Sequence, residues 1–286
     1  MSDEAERNAD SEGVTTGEAL AAAERRLASA GVESPRVDAE LLAGKALGAT
    51  RTALYTDPGR ELSAEEAAEL GRLVERRAGR EPLAYVLGEW GFRRLTLAVD
   101  RRVLVPRPET EVVVERCLEL LRGLEAPTVL DVGTGSGAIA LAIADEHPGA
   151  RVTAIDVSSG ALEVARANAL AGGLDVDFEQ YDVRDGLEGA FDLVVSNPPY
   201  VTAEEIEALE PEVRDWEPRI ATVGEEHTAV IAQAASRALV PDGHLVLEVA
   251  DGRAAEVCAL LRRLGYGDVR NVRDLTGRDR VVEGRW

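Results

Sequence analysis

The sequence predicts an α/β protein: a mostly parallel sheet covered by helices, preceded by a small all-helical domain and a β-hairpin linker. Three observations predict it. After Pro127, short β-branched runs alternate with helical patterns, as strands and crossover helices of a parallel sheet do. Before residue 81, apolar residues recur at helical spacing. Between them, residues 82–105 hold Leu83, Tyr85, Val86, Trp90, Phe92, Leu95, Leu97, Val99, Val103 and Val105, which read as short strands with a turn near Asp100-Arg101.

Residues 1–15 are polar and acidic with almost no apolar side chains, and are expected to be a disordered tail. The helical domain is expected over 16–81. Thr16, Ala19-Leu20, Ala23, Leu27 and Ala30 give the first apolar face, which Gly31 closes. Ser34-Pro35 restarts a helix with proline at its first position. A short segment surrounds Leu54-Tyr55. Ser63-Ala64-Glu65-Glu66 is a capping box for a helix running to about Ala78.

The third unit, 106–286, opens where Pro106-Arg107-Pro108-Glu109-Thr110 stops a strand and caps a helix over 110–122. Strands are expected at 129–132, 152–155, near 176–178, at 191–195 and at 245–249. Helices lie near 136–145, 159–171, 226–239 and 252–264. Two final strands, at 269–272 and 280–283, suit an antiparallel edge.

Composition narrows the function. Acids outnumber bases by 53 to 32, a net charge of −21. So negative a field repels phosphates, and no basic cluster with interleaved aromatics offsets it, so direct nucleic-acid binding is not expected. No apolar run is long enough to cross a membrane, and the N-terminus lacks the basic start and apolar core of a secretory signal, which favours the cytoplasm. Cys117 and Cys258 sit alone in apolar helical patterns, as buried free thiols do. The three histidines have no ligand spacing, so neither a metal nor histidine-based nucleophilic chemistry is expected.

Four segments carry chemistry. Gly133, Thr134, Gly135, Ser136 and Gly137 lie between a strand and a helix, where glycines let a ligand approach free N–H groups. The spacing is that of neither a dinucleotide fingerprint nor a phosphate loop, and points to a nucleoside cofactor. Asp156 ends the next strand, nineteen residues after Gly137, where an acid accepts ribose hydroxyls. Asp182-Val183 follows the third strand and suits an adenine amino group and ring nitrogen, with Asp185 as a rival. Ser196-Asn197-Pro198-Pro199-Tyr200 follows the fourth strand. Its prolines stiffen the backbone and leave carbonyls as pure acceptors. The Asn197 side-chain oxygen and Pro198 carbonyl then accept both hydrogens of one NH2 group, and Tyr200 offers a flat face for stacking. Together these imply in-line methyl transfer from the sulfonium of S-adenosylmethionine to nitrogen, with Asn197, Pro198 and Tyr200 as catalytic residues and Asn197 also near the cofactor. The tetrapeptide alone leaves bases and amides open as acceptors.

Asn197-Pro198-Pro199-Tyr200 with Pro106-Arg107-Pro108-Glu109-Thr110-Glu111, Gly91-Phe92, Trp216-Glu217-Pro218, Arg36-Val37-Asp38-Ala39-Glu40 and the tail Asp274-Leu275-Thr276-Gly277-Arg278 resembles the bacterial peptide chain release factor glutamine N5-methyltransferases, from about residue 16 to the end. The resemblance implies a Rossmann-like, seven-stranded class I methyltransferase domain whose last strand is antiparallel. It implies a helical domain that helps hold the substrate, and methylation of the glutamine in the Gly-Gly-Gln tip of class 1 release factors. Residues 133–137 and Asp156 would hold S-adenosylmethionine and Val183 would lie at the adenine. Asn197, Pro198, Pro199 and Tyr200 would hold the glutamine, with Phe92, Arg107 and Glu109 lining its pocket. A monomer is the default for a protein that embraces a protruding loop. Three departures stand out: Trp216 where the family shows tyrosine, the stretch 223–228, and Val183 where the family has a larger, often aromatic, neighbour of the adenine. The rival readings are methylation of a ribosomal-protein glutamine, adenine N6 methylation of nucleic acid, and non-catalytic cofactor binding.

Overall fold

The computed structural model describes residues 13–224 and 226–286. The tail expected over 1–15 lies almost wholly outside them, as does Glu225 in the divergent stretch. The chain divides into two compact units between Leu87 and Gly88.

The first unit is helical, with α1 Thr16–Ser29, α2 Pro35–Leu47, α3 Arg51–Thr56, α4 Ala64–Ala78 and α5 Leu83–Leu87. Thr15 with Glu18, and Ser63 with Glu66, form reciprocal capping boxes that satisfy the first N–H groups of α1 and α4. Pro35 opens α2, although Ser34 makes no side-chain cap bond. Leu27, Leu42 and Leu73 are fully buried where α1, α2 and α4 meet. Asp38 on α2 and Arg77 on α4 form a buried ion pair, Nε to Oδ2 at 2.7 Å.

In the second unit β1 Glu89–Phe92 and β2 Leu95–Ala98 form an antiparallel hairpin. Then follow α6 Thr110–Leu120, β3 Thr128–Val132, α7 Ala138–Glu146, β4 Arg151–Asp156, α8 Ser159–Gly172, β5 Asp177–Gln180 and β6 Phe191–Ser196. The chain continues through α9 Pro211–Arg214, α10 Arg219–Thr222, α11 His227–Ala238, β7 Leu239–Glu248, α12 Ala254–Leu264, β8 Gly267–Arg273 and β9 Asp279–Arg285. The seven-stranded sheet has the order β5-β4-β3-β6-β7-β9-β8. Strands β3 to β7 pair in parallel, and β9 runs antiparallel to both its neighbours. Alternate residues feed two cores: Val129, Leu193, Val195 and Val246 pack with α6 and α7, and Leu130, Val194, Leu245 and Leu247 with α11 and α12. Among the described residues, no helix is long and apolar enough to cross a membrane.

The segment 82–105 corrects the sequence reading. Leu83, Tyr85 and Val86 are helical because the Pro82 carbonyl accepts the Tyr85 and Val86 N–H groups and Gly88, at φ 76°, ends the turn. The hairpin turns at Arg93-Arg94, with Arg93 at φ 50°. Asp100 instead closes a local turn, its carbonyl accepting the Val103 N–H, and Val103 and Val105 belong to no strand. The hairpin is part of the second unit, because Phe92 and Leu97 are buried in its core and Asn168 of α8 exchanges two hydrogen bonds with Ala98.

A buried charge that loses its partner costs far more than an exposed one. Asp38→Ala is expected to lower stability by about 3 kcal/mol or more. Glu75→Ala, which removes the exposed partner of Arg26, should cost less than about 1 kcal/mol. Denaturant unfolding of the two variants compares them; equal effects would mean the Asp38–Arg77 pair is not buried in solution.

Candidate active site

Sheet order reverses between β3 and β6, so the chain leaves these neighbouring strands in opposite directions and opens a crevice at their C-terminal ends. A cavity of about 320 Å3 lies there. Its walls include Gly133, Thr134, Gly135 and Ser136 after β3, Asp156 after β4, Asp182 and Val183 after β5, and Asn197, Pro198 and Pro199 after β6.

The loop after β3 is built from backbone bonds. The Gly133 and Thr134 N–H groups donate to the Ile155 carbonyl at 2.8 and 3.0 Å, and Gly135 N–H donates to Asp156 Oδ2 at 2.9 Å. Gly133 and Gly135 have φ of 75° and 56°, and a Cβ at either would meet no atom within 4 Å. Their open faces make a cradle that a nucleoside cofactor fits. Gly137 departs from the expected role and does not line the cavity. Its φ is 83°, which L side chains rarely adopt, and a Cβ there would also crowd Leu141 and Ala165, so backbone conformation and packing between α7 and α8 both favour glycine. Below the loop Thr134 Oγ1 donates to Asp131 Oδ2 at 2.6 Å, while burial pushes the Asp131 carboxyl up to about 7.

Asp156 has two duties. Oδ1 accepts the Ser158 N–H and Oδ2 that of Gly135, which leaves further lone pairs on both oxygens for ribose hydroxyls. Burial raises its pKa against these bonds. Asp182 caps the turn that follows it and pairs with Arg184, whose guanidinium holds it down to about 2. Tyr181 also lines this end of the cavity, packed like Val183 against the core beneath α11 and α12, and supplies an aromatic wall that the sequence reading does not assign.

At the acceptor end, Ser196 Oγ donates to the Val132 carbonyl at 2.6 Å and so ties β6 to the start of the glycine loop. Asn197 Nδ2 donates to Thr110 Oγ1 at 3.4 Å, and Thr110 Oγ1 donates to Glu248 Oε2 at 2.7 Å. By sequence Thr110 belongs to a helix cap; the cap position is Glu109, without a side-chain bond, and the Thr110 hydroxyl donates to Glu248 instead. Glu248 is buried at the end of β7, and desolvation pushes it up to about 7. Arg107 lines the cavity and bonds both carboxylate oxygens of Glu217 at 2.7 Å, and Glu217 also accepts the Val105 N–H. Arg101 stacks over the Trp216 ring at 5.3 Å. The 105–107 segment and the Trp216-Glu217-Pro218 segment are therefore one construction.

Three expected pocket residues stand elsewhere. Phe92 is buried in the core against α6 and α7, since its alternation within β1 turns it inward. Glu109 is half-buried beside the cavity but not in its wall; its charge acts on Glu248 and Tyr200. Tyr200 lines an adjoining cavity of about 270 Å3 with Glu248 and Arg253, because two stiff prolines carry the chain past the first one. Burial first, then Glu248, pushes its phenol up to about 12.

Residues 18–88 match the PrmC N-terminal domain and residues 111–212 the methyltransferase small domain. The chain is 44% identical over 280 residues to a release factor glutamine methyltransferase of Caulobacter vibrioides, covering 95% of this chain and 96% of the relative. A namesake from Deinococcus radiodurans is 46% identical over 273 residues, covering 93% and 96%. The fold is also that of the T. thermophilus 16S rRNA N2 G1207 methyltransferase, at TM-score 0.51 and 19% identity over 69% of this chain and 49% of that one. On identity of this extent over nearly its whole length, the chain belongs to the release factor glutamine methyltransferase family.

Proposed function

We propose that the protein transfers a methyl group from S-adenosylmethionine to the side-chain amide nitrogen of the glutamine in the Gly-Gly-Gln tip of class 1 release factors. One observation carries this reading: the acceptor motif Asn197-Pro198-Pro199 and the glycine cradle line the same cavity. The relatives' names supply the substrate.

Gly133, Thr134, Gly135 and Ser136 would hold the cofactor against the open face of their backbone, Asp156 its ribose, and Asp182, Val183 and Tyr181 its adenine end. When bound, S-adenosylmethionine supplies a sulfonium methyl already activated by positive charge. Asn197 Oδ1 and the Pro198 carbonyl accept the two amide hydrogens of the substrate, which orients the nitrogen and pushes electron density onto it as the bond forms. Both acceptors are fixed beforehand, so little reorganisation remains at the moment of transfer. Tyr200 closes the far side of the acceptor motif. Arg107, held by Glu217, stiffens the wall from which the substrate loop enters.

Labelled S-adenosylmethionine offered with a release factor, its glutamine-substituted variant, ribosomal proteins and DNA tests the substrate. Label is expected in the unsubstituted release factor alone. Equal labelling of the glutamine variant, or label in DNA, would overturn the reading.

Asn197→Ala and Asp156→Ala should separate acceptor from cofactor. The first is expected to lower kcat about a hundredfold or more while cofactor affinity stays within about twofold. The second should weaken cofactor binding by about a hundredfold, the worth of two charge-assisted hydrogen bonds. Calorimetric titration and single-turnover rates distinguish these outcomes; a large loss of cofactor affinity in Asn197→Ala would put that residue on the wrong side of the site.

A further inference from the structure

We infer that Thr110 and Glu248 are positioning residues that decide which end of the Asn197 carboxamide faces the acceptor nitrogen. The inference rests on the proposed amide acceptor. It concerns a hydroxyl in the wall of the cavity and a carboxylate behind it, both acting through Asn197.

An asparagine carboxamide is nearly symmetric in shape and opposite in polarity at its two ends. If the NH2 group faced the cavity, it would oppose the NH2 of a substrate amide, donor against donor. Something must break the symmetry, and among the described residues no backbone group bonds the carboxamide. The Thr110–Glu248 pair does so by proton counting. A hydroxyl has one proton to give. Thr110 gives it to Glu248 Oε2 at 2.7 Å, because an ionised carboxylate only accepts. The lone pairs left on Thr110 Oγ1 can receive only a donor, and Asn197 presents Nδ2 to them at 3.4 Å. Oδ1 on the other branch is thereby left for the acceptor.

The three residues come from separate elements brought together by the sheet. Asn197 follows β6, Glu248 ends β7, and the pairing of Ser196 with Leu247 sets these strand ends side by side. Thr110 is the first residue of α6, which packs across β7. No feature of the cofactor cradle requires a buried carboxylate at the end of β7; the polarity of Asn197 does.

The arrangement has a built-in condition. Once Glu248 takes up a proton it can donate to Thr110, whose own proton is then free for Asn197 Oδ1, and the carboxamide can turn over. The groups that face Glu248 are Arg107 and Glu109 before α6, Thr110 on it, Tyr200 after β6, Arg280 on β9 and, across the adjoining cavity, Arg253 and Glu256 at the start of α12. Desolvation and Glu109 raise its pKa, whereas Thr110, Arg280 and Arg107 lower it, and the balance lies at about 7. The ionised, correctly polarised state therefore gains population as pH rises through about 7, and is lost below it.

Side-chain amide NMR of the full-length protein tests this without depending on any substrate. The Asn197 NH2 pair is assigned by its loss in Asn197→Ser and followed between about pH 5.5 and 8.5, a range bracketing the raised carboxyl. An inflection near 7 is expected in the unsubstituted protein. It should vanish in Glu248→Gln and in Thr110→Val, and return in Thr110→Ser. In parallel, kcat on the release factor should show an acid limb with the same midpoint. Glu248→Gln should lower kcat by about tenfold or more at pH 8, with cofactor affinity nearly unchanged. An Asn197 signal indifferent to pH in the folded, unsubstituted protein would overturn the inference, as would an inflection that survives both Glu248→Gln and Thr110→Val. Absence of any transfer to the release factor would instead overturn the proposed function, and the NMR titration would still decide the polarity of Asn197.

Discussion

The hydroxyl of Ser196 reaches the carbonyl of Val132 across 2.6 Å, from the last residue of β6 to the last of β3. These two residues face each other in the parallel register, and the strand order reverses there. The glycine loop leaves from one end of that bond and the acceptor motif from the other. A methyl donor and a nitrogen acceptor must meet in line within a few tenths of an ångström, and loops alone do not hold such tolerances. Buried strand ends do. The loops need only be stiff over the few residues beyond them, and glycine-to-carbonyl bonds on one side and consecutive prolines on the other provide that stiffness.

Charge is used in an unexpected place. With a net charge of −21, an external field would be the obvious reading. The buried acids are more informative. Glu217 holds Arg107 in the cavity wall, Glu283 holds Arg116 of α6 against β9, and Glu248 receives Thr110. Each ties α6 or the segment preceding it to the rest of the second unit. Ionised groups in such settings contribute little net stability, because desolvation offsets most of the attraction. Their value lies in direction: a bidentate guanidinium–carboxylate pair or a hydroxyl–carboxylate bond fixes an angle that apolar packing leaves free. The helix that follows 106–109 is thus placed by directional contacts, and the acceptor pocket inherits its geometry.

The sequence was most readable where backbone conformation and function coincide. Gly133 and Gly135 need positive φ and an open face at once, and Asp156 ends a strand whose neighbours fix its position. Both could be read from strand-to-helix spacing. The core pattern after Pro127 is legible for a related reason, since strands covered on both faces, as β3, β6 and the end of β7 are, read as unbroken apolar runs. Reading failed where one local pattern serves two structures. Leu83, Tyr85 and Val86 suit a strand or a single helical turn, and the Pro82 carbonyl decides for the helix. Phe92 looked like a pocket residue by resemblance, yet the hairpin register turns it into the core. Thr110 before a helix has the chemistry of a cap, and only a glutamate 138 residues later gives it a different partner. Such contacts have no local signature, because they depend on which strand ends the fold makes neighbours.

Asp156 illustrates why the cofactor and acceptor halves do not behave as interchangeable sets of contacts. Its carboxylate already accepts two backbone N–H groups, one from the glycine loop and one from the start of α8. Two remaining lone-pair directions point to a ligand only because the first two have fixed the plane of the carboxylate. Asn197 follows the same logic in a neutral group: one branch is committed to Thr110, which in the proposed function leaves the other for the substrate. In both cases half of a side chain's hydrogen-bonding capacity serves the protein and so determines what the other half can recognise. An acid fixed in this way selects hydroxyls, and a carboxamide fixed in this way selects an NH2 group. In the proposed function, the ribose of the donor and the amide of the acceptor would be the two ligands that present them.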